Sequence, residues 1–296
     1  MQEARNLKEY KKEVDDALQN SFLRSAMDKF AVAYRSGRAN AFAEMNVEGL
    51  VAEIAAAKDA ALARMDALFE EFKENASKAG VHVHLAQTAG EANAIIARIA
   101  RDNDVKKIVK SKSMTAEETL LNHDLEAEGF EVTETDLGEW IIQLRGEGPS
   151  HMVMPAIHLS RYQVADLFTE VTGHKQESEI ERLVKVARRE LRQKYVEADM
   201  GISGANFALA DTGTIGLTTN EGNARLVTTL PRVHVALIGL DKLLPTLHDA
   251  LLINRVLPRN ATGQGITSYV TWITGRNACS GARGNKKVMH IVFLDN

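Results

Sequence analysis

From Val81 onward, short runs of strand character alternate with helical spacing, and this alternation limits the possible folds more than any other feature of the chain. Val81 to Ala86 (VHVHLA) has a period of two, and Glu91 to Arg101 recurs at helical spacing. Ile108-Val109-Lys110 reads as the next strand. Thr115 with Glu118 then forms a capping box opening a helix that runs to Glu128, with Gly129 as its stop. Phe130 to Thr135 returns to strand. Strand–helix–strand order at this spacing predicts an α/β fold with a mostly parallel, doubly wound sheet flanked by helices. Ligands of such sheets bind beyond the carboxyl ends of the strands, so the segment after each strand is a place to look for chemistry.

The same reading extends in both directions. Ser160 to Thr172 is helical, and Ser178 with Glu181 starts another helix whose stripe is Ile180, Leu183, Val184, Ala187, Leu191 and Tyr195. After Gly201 come strands at Ala205 to Ala210, Thr214 to Thr219 and Val233 to Gly239, a helix from Asp241 to Val256, and strands at Thr267 to Ile273 and Val288 to Leu294. Upstream, Leu7 to Lys78 is helical in pattern. Leu18, Phe22 and Met27 begin one stripe, and Gly37 with Asn40 marks a break. Leu50, Ile54, Ala57, Ala61, Met65, Leu68 and Phe72 form a second, Ala-rich stripe. The expected organisation is an N-terminal helical extension over 1–80, serving as a cap or dimerisation element, and an α/β domain over 81–296.

Bulk properties narrow the function classes. A formal charge of -4 over 296 residues gives no basic excess to suggest nucleic acid or an anionic membrane as partner. The one cysteine, Cys279, can neither close an internal disulfide nor hold an iron–sulfur cluster, and it points to a reducing compartment. Met1-Gln2-Glu3-Ala4-Arg5 leads into charged residues rather than the apolar stretch of a signal peptide. The longest apolar run, Val233 to Leu240, is interrupted by His234 and is too short to span a bilayer. A cytoplasmic protein is expected. The histidines do not cluster at metal-ligand spacing, so no metal site is expected.

Several segments carry candidate chemistry. Lys110-Ser111-Lys112-Ser113-Met114-Thr115 joins a strand to a helix and is either an anion site or a polar capping turn. Glu134-Thr135-Asp136-Leu137-Gly138-Glu139 follows the next strand. Its carboxylates suit acid–base work or a divalent ion, while Asp136 is equally suited to capping a helix. In Pro149 to His158, His151 and His158 flank an apolar strand, where His158 serves either proton transfer or a structural bond. The densest stretch runs from Asn206 to Arg225. There Asp211-Thr212-Gly213-Thr214 lies between two strands and Asn220-Glu221-Gly222-Asn223-Ala224-Arg225 follows the second, as a functional turn or as a hairpin with an Asx turn. The glycine-containing loops Thr262 to Ser268 and Gly275 to Gly281 lack a dinucleotide fingerprint. Cys279 has no adjacent His, which makes it a weak nucleophile candidate.

Taken together, Ser111-Lys112-Ser113-Met114, Glu134-Thr135-Asp136-Leu137-Gly138-Glu139, Pro155-Ala156-Ile157-His158, Asp211-Thr212-Gly213-Thr214 and Leu257-Pro258-Arg259-Asn260-Ala261-Thr262-Gly263-Gln264 resemble, in this order, the lactate-utilisation (LUD) domain family. The resemblance covers nearly the whole chain. It implies a NagB/RpiA/CoA-transferase-like fold and a part in oxidising L-lactate to pyruvate together with two other lactate-utilisation subunits. It also implies that 4Fe–4S clusters belong to a cysteine-rich C-terminal region this chain lacks, so no cofactor is expected here. Carried over residue by residue, the candidate ligand-binding positions are Lys112, Ser113, Asp136, Glu139, Asp211, Thr212, Gly213, Thr214 and Arg225. His158 and Glu221 are the candidate general bases for a 2-hydroxy acid. Two other readings stand beside this one: a stand-alone CoA-transferase-like or isomerase enzyme acting through Glu221, and a module that binds an organic acid, possible as a homo-oligomer.

Overall fold

A computed structural model describes residues 6–276 and 287–295. Helices α1 (Leu7–Gln19), α2 (Ser21–Phe42), α3 (Val47–Leu62) and α4 (Met65–Lys78) precede β1 (His82–Ala86). Then follow α5 (Ala89–Asp102), β2 (Lys107–Lys110), α6 (Met114–Glu118), α7 (Leu121–Ala127), β3 (Glu131–Glu134), α8 (Leu137–Arg145), α9 (Arg161–Thr172) and α10 (Ile180–Glu197). The rest comprises β4 (Met200–Ser203), β5 (Phe207–Leu209), β6 (Thr214–Thr219), α11 (Asn223–Thr229), β7 (Val233–Gly239), β8 (Leu243–Leu244), α12 (Leu247–Asn254), α13 (Leu257–Thr262), β9 (Tyr269–Thr274) and β10 (Val288–Leu294).

Among the described residues, six strands form a sheet in the order β1-β10-β7-β4-β2-β3, and every neighbouring pair is parallel. The α/β architecture expected from the alternation is therefore present. One face of this sheet packs Val235, Val292, Met200 and Ile108 against Ile96 and Ile99 of α5 and Leu121 and Leu125 of α7. On the other face, Ala236, Ile238, Ile291 and Phe293 meet Leu68, Phe72 and Ala76 of α4 together with β5, β6 and β9. Phe69 and Phe72 contact Phe293 edge-to-face, with centroids 5.6 and 5.1 Å away, so α4 is seated in the core. Helices α8, α9 and α10 cover the β2 side of that face around Val109, Trp140 and Phe168. A smaller sheet, β8-β5-β6-β9, holds the hairpin of β5 and β6.

Several local expectations are corrected. Gly37 does not break its helix: α2 runs through it to Phe42, and it packs against Gly263, where a Cβ would stand 2.9 Å from Arg38 N. The cap of α6 is Ser113, which accepts from Ala116 N–H, rather than Thr115 with Glu118. That helix also stops early, because Leu120 turns to φ 54° before α7 begins. Helix α10 starts at Ile180, with Glu179 rather than Ser178 at its cap position. No strand lies between His151 and His158; those residues form turns closed by Ser150 N–H donating to Pro155 O, and no sheet edge is paired there. The helix expected from Asp241 to Val256 begins only at Leu247, because Leu243–Leu244 pairs with β5 and Pro245 separates the two. The central strand β4 was not anticipated. Cys279, with the rest of 277–286, lies outside the described residues.

Candidate functional site

Because all six strands run the same way, their carboxyl ends share one edge of the sheet. A cleft of about 1000 Å³ opens along that edge. Ser111 to Thr115 enter it after β2, Asp136 after β3, Gly204 to Asn206 after β4, Gly239 to Lys242 after β7, and Leu294 with Asp295 at the end of β10. Thr218 to Glu221, Asn223 and Ala224 close the opposite wall from β6 and the start of α11. The strand-end rule thus leads to the site directly.

Two close approaches fix the floor. A Cβ on Gly204 would sit 2.9 Å from Ser113 Oγ, so the β4 loop and the cap of α6 meet only because residue 204 has no side chain. A Cβ on Gly201 would lie 2.0 Å from Val227 O, which lets α11 rest on β4 and carry Asn223 and Ala224 to the cleft. Beneath, Lys110 at the end of β2 is fully buried, with its Nζ 2.9 Å from Glu117 and 2.8 Å from Glu134. It ties α6 and β3 to β2 just below the Ser111 to Thr115 loop.

The charged groups of the cleft are concentrated at the β2–β3 end. Lys112 Nζ stands 3.3 Å from Glu139 Oε1 and donates to Val153 O at 3.2 Å. Burial, opposed by Lys112, raises the Glu139 carboxyl above its ordinary range. Asp136 caps α8 by accepting the Gly138 and Glu139 N–H groups at 3.1 and 3.3 Å. Glu221 is open to solvent yet crowded by the cleft wall. Desolvation first, and then the Asp136 carboxylate, push its pKa up to about 7 against the pull of the Leu137 N–H and of Lys112. Behind this pair, Tyr195 of α10 bonds to Thr135, and burial pushes its phenol up to about 12. Asn223 donates to the same threonine at 3.4 Å.

Lys112, Ser113, Asp136 and Glu221 are therefore brought together, with Glu139 gripping Lys112 from behind. The other candidates lie elsewhere. Both ring nitrogens of His158 are engaged in its own loop, by Ser150 Oγ at 2.6 Å and Glu147 Oε2 at 3.0 Å. Asp211, Thr212, Gly213 and Thr214 form the hairpin turn at the far end of β6. Asn75 of α4 donates to Ala210 O and Asp211 O there, and a Cβ on Gly213 would strike Ala76 N at 2.3 Å. That density of polar residues serves a tight helix–hairpin contact. Arg225 lies over the Tyr269 ring at 4.4 Å and donates to Thr271. Missed by the sequence reading were Asp241, Lys242 and Asp295; Asn206, Asn220, Lys110 and Glu134 lay in its candidate segments but were assigned no site role. The strand-end position of Asp295 and of Gly239 to Lys242 was the available signal.

The family model for the LUD domain matches residues 69–294. The chain belongs to the LUD domain family. Its LUD match begins within α4, the helix seated on Phe293. Lactate utilization protein B of Bacillus licheniformis is 42% identical over 292 residues, covering 97% of this chain and 60% of the relative. Lactate utilization protein B of Bacillus subtilis is 40% identical over 289 residues, covering 97% and 60%. The chain thus spans about 60% of the length of the curated relatives it matches. The crystal structure of a DUF162 family protein from Deinococcus radiodurans aligns with a TM-score of 0.43 at 13% identity, over 78% of this chain and 98% of that one. Among the described residues, no helix of this LUD chain is long and apolar enough to cross a membrane.

Proposed function

We propose that this LUD domain serves lactate utilisation by holding a small 2-hydroxy or 2-keto carboxylate at the β2–β3 end of the cleft. The observation that carries the reading is the placement of Lys112 beside Glu221 and Asp136 at the carboxyl edge of the sheet. An ammonium has three N–H donors, and Glu139 and Val153 O engage two of those on Lys112. The third is available to a ligand carboxylate. Ser111, Asn206 and Asn223 add neutral polar groups to the lining. A carboxyl near pH 7 is divided between its two forms at neutral pH, which suits Glu221 to take the proton of a C2 hydroxyl. Burial first, and then Asp136 with its oxygen held by the start of α8, keep that proton affinity high.

The names of the relatives support lactate as the acid. Oxidising it also requires an acceptor for two electrons. A 4Fe–4S cluster takes four thiolates, and the chain's single cysteine does not fit that need. In this reading, Glu221 takes the hydroxyl proton as the C2–O double bond forms. The C2 hydrogen leaves with its electron pair to a two-electron acceptor on another component of the lactate-utilisation system, and the domain supplies binding and proton transfer.

Calorimetric titration with L-lactate and pyruvate tests the reading. Wild-type protein is expected to bind both. Lys112→Ala should weaken binding about tenfold or more, as expected for loss of a charge-assisted contact. Arg225→Ala should leave it unchanged. Absence of binding to the wild type, or equal weakening by Arg225→Ala, contradicts the assignment. A Glu221-dependent, hydroxylamine-sensitive adduct with acetyl-CoA instead supports the transferase reading.

A further inference from the structure

Helix α10 has two dissimilar faces. Leu183, Val186, Ala187, Leu191 and Tyr195 are buried against the core of α8 and α9. Opposite them, Lys185, Arg188, Arg189 and Arg192 are all exposed around a shallow groove of about 280 Å³. Positions three and four apart on a helix are neighbours, so these four cations form one stripe. Lys185 faces Arg188 and Arg189, and Arg192 faces the same two, so four like-charge pairs oppose the helix they sit on. Only Arg189 among the four has a carboxylate partner among the described residues, Glu190 at 3.1 Å. The whole chain is acidic, with a formal charge of -4, so the stripe is no reflection of the general surface. Nothing in the fold requires it.

We propose that this stripe is a docking surface for an acidic patch on another protein. The guanidinium fork matches carboxylates in a planar, two-bond geometry, and three of the four cations are arginines. The stripe is also short. Seven residue steps of helix cover roughly 10 Å, and the charges flanking it are already paired: Arg182 with Glu177 and Glu179 before it, Lys194 with Glu131 and Glu197 with Lys107 after it. A nucleic acid gains affinity with each phosphate neutralised along its length, and on either side of the stripe it would meet cations already paired with carboxylates. A compact acidic patch fits inside those limits. The inner face of the same helix places Tyr195 against Thr135, next to Asp136. A partner centred on the stripe is displaced from Tyr195 by roughly 10 Å along the helix and roughly 10 Å across it, so it lies beyond direct contact with the acid pair of the cleft. The surface stands independently of what the cleft binds.

Fluorescence anisotropy with a labelled ten-residue poly-glutamate peptide tests the proposal on the full chain, with a labelled oligo-dT strand as the competing probe. The peptide is expected to bind at low salt and to release as salt rises. Arg188→Glu/Arg192→Glu should weaken it at least tenfold, while Lys11→Glu/Lys12→Glu on α1 should leave it unchanged. The stripe variant should melt at the wild-type temperature or above, because it turns the 185–188 and 189–192 pairs from repulsive to attractive and leaves two like-charge pairs where there were four, so lost binding cannot be assigned to unfolding. Failure of the peptide to bind, equal binding by the stripe variant, or tighter binding of oligo-dT lost in that variant overturns the proposal.

Discussion

Replacing Lys110 by Met probes how the floor of the cleft is held. The ammonium is fully buried between two carboxylates, at 2.9 Å from Glu117 and 2.8 Å from Glu134. Burial alone would lower its pKa, but the two carboxylates outweigh burial and hold it above its ordinary 10.5. Glu134 is itself 3% exposed and is further bound by Asn122 Nδ2 at 2.6 Å. Glu117 can turn to solvent when its partner goes; Glu134 cannot. Lys110→Met fills a similar volume but leaves the Glu134 charge buried and unpaired, which costs about 3–5 kcal/mol. For a chain of this size that corresponds to a melting temperature lower by roughly 6–15 °C. The pH dependence follows from the direction of the shift. A raised lysine pKa contributes its stability in full below about 10.5 and loses it as pH climbs through the folded value. The Lys110 contribution to the wild type is therefore held up to about pH 10.5 and lost above it. Burial already raises the Glu134 carboxyl and raises it further once Lys110 is gone, so the deficit of the variant grows as pH rises above 4.5. Thermal melts followed by circular dichroism at several pH values provide the check. Lys110→Met/Glu134→Met should recover part of the loss, since two apolar groups replace the whole pair. A single variant within about a degree of wild type, or a double variant worse than the single, refutes the account.

Three further outcomes follow from the same geometry. Gly201→Ala drives a methyl into Val227 O at 2.0 Å in a strand paired on both sides, so a loss of about 3 kcal/mol or more is expected in chemical denaturation. His234 is buried against Ser203 Oγ at 2.9 Å, and burial lowers its pKa to about 3. The unfolded chain then binds the extra proton first, so stability is lost as pH falls below 6.5, by about 2 kcal/mol at pH 5, and His234→Gln should flatten that slope in acid titration. Glu221, raised to about 7, acts in the opposite sense: the folded state holds its proton longer, so stability declines as pH rises from 4.5 to 7. Solvent screening limits this effect, and Glu221→Gln should be more stable than wild type at pH 8 by under about 1 kcal/mol and equal to it at pH 4.

Periodicity located most strands of the main sheet because their residues alternate or run apolar over enough length. The residues of β7 and β10 match their expected bounds, and β1, β2 and β3 differ by a residue or so at an end. Strand β4 escaped because Met200-Gly201-Ile202-Ser203 is four residues long and includes a glycine, a pattern that reads as a turn. Its glycine answers to Val227, a contact from a helix further along the chain that no local window contains. The same holds for Gly263, whose neighbours Gly37 and Arg38 are far away in sequence. At the site, the strand-end rule picked out Lys112, Ser113, Asp136 and Glu221. It did not separate them from Asp211 to Thr214, because a polar turn that packs on α4 and one that faces a cleft look alike in sequence. Only the relative position of the two sheets distinguishes the two ends of β6.

The central claim, a carboxylate seat beside Lys112, is tested most directly by crystallography of the protein soaked with L-lactate. The account predicts difference density for one lactate, with its carboxylate within about 3 Å of Lys112 Nζ and its hydroxyl directed at Glu221. Density confined to the Asp211 to Thr214 turn or to the Arg225 surface, or a filled cleft in which Lys112 makes no contact with the ligand, would contradict it.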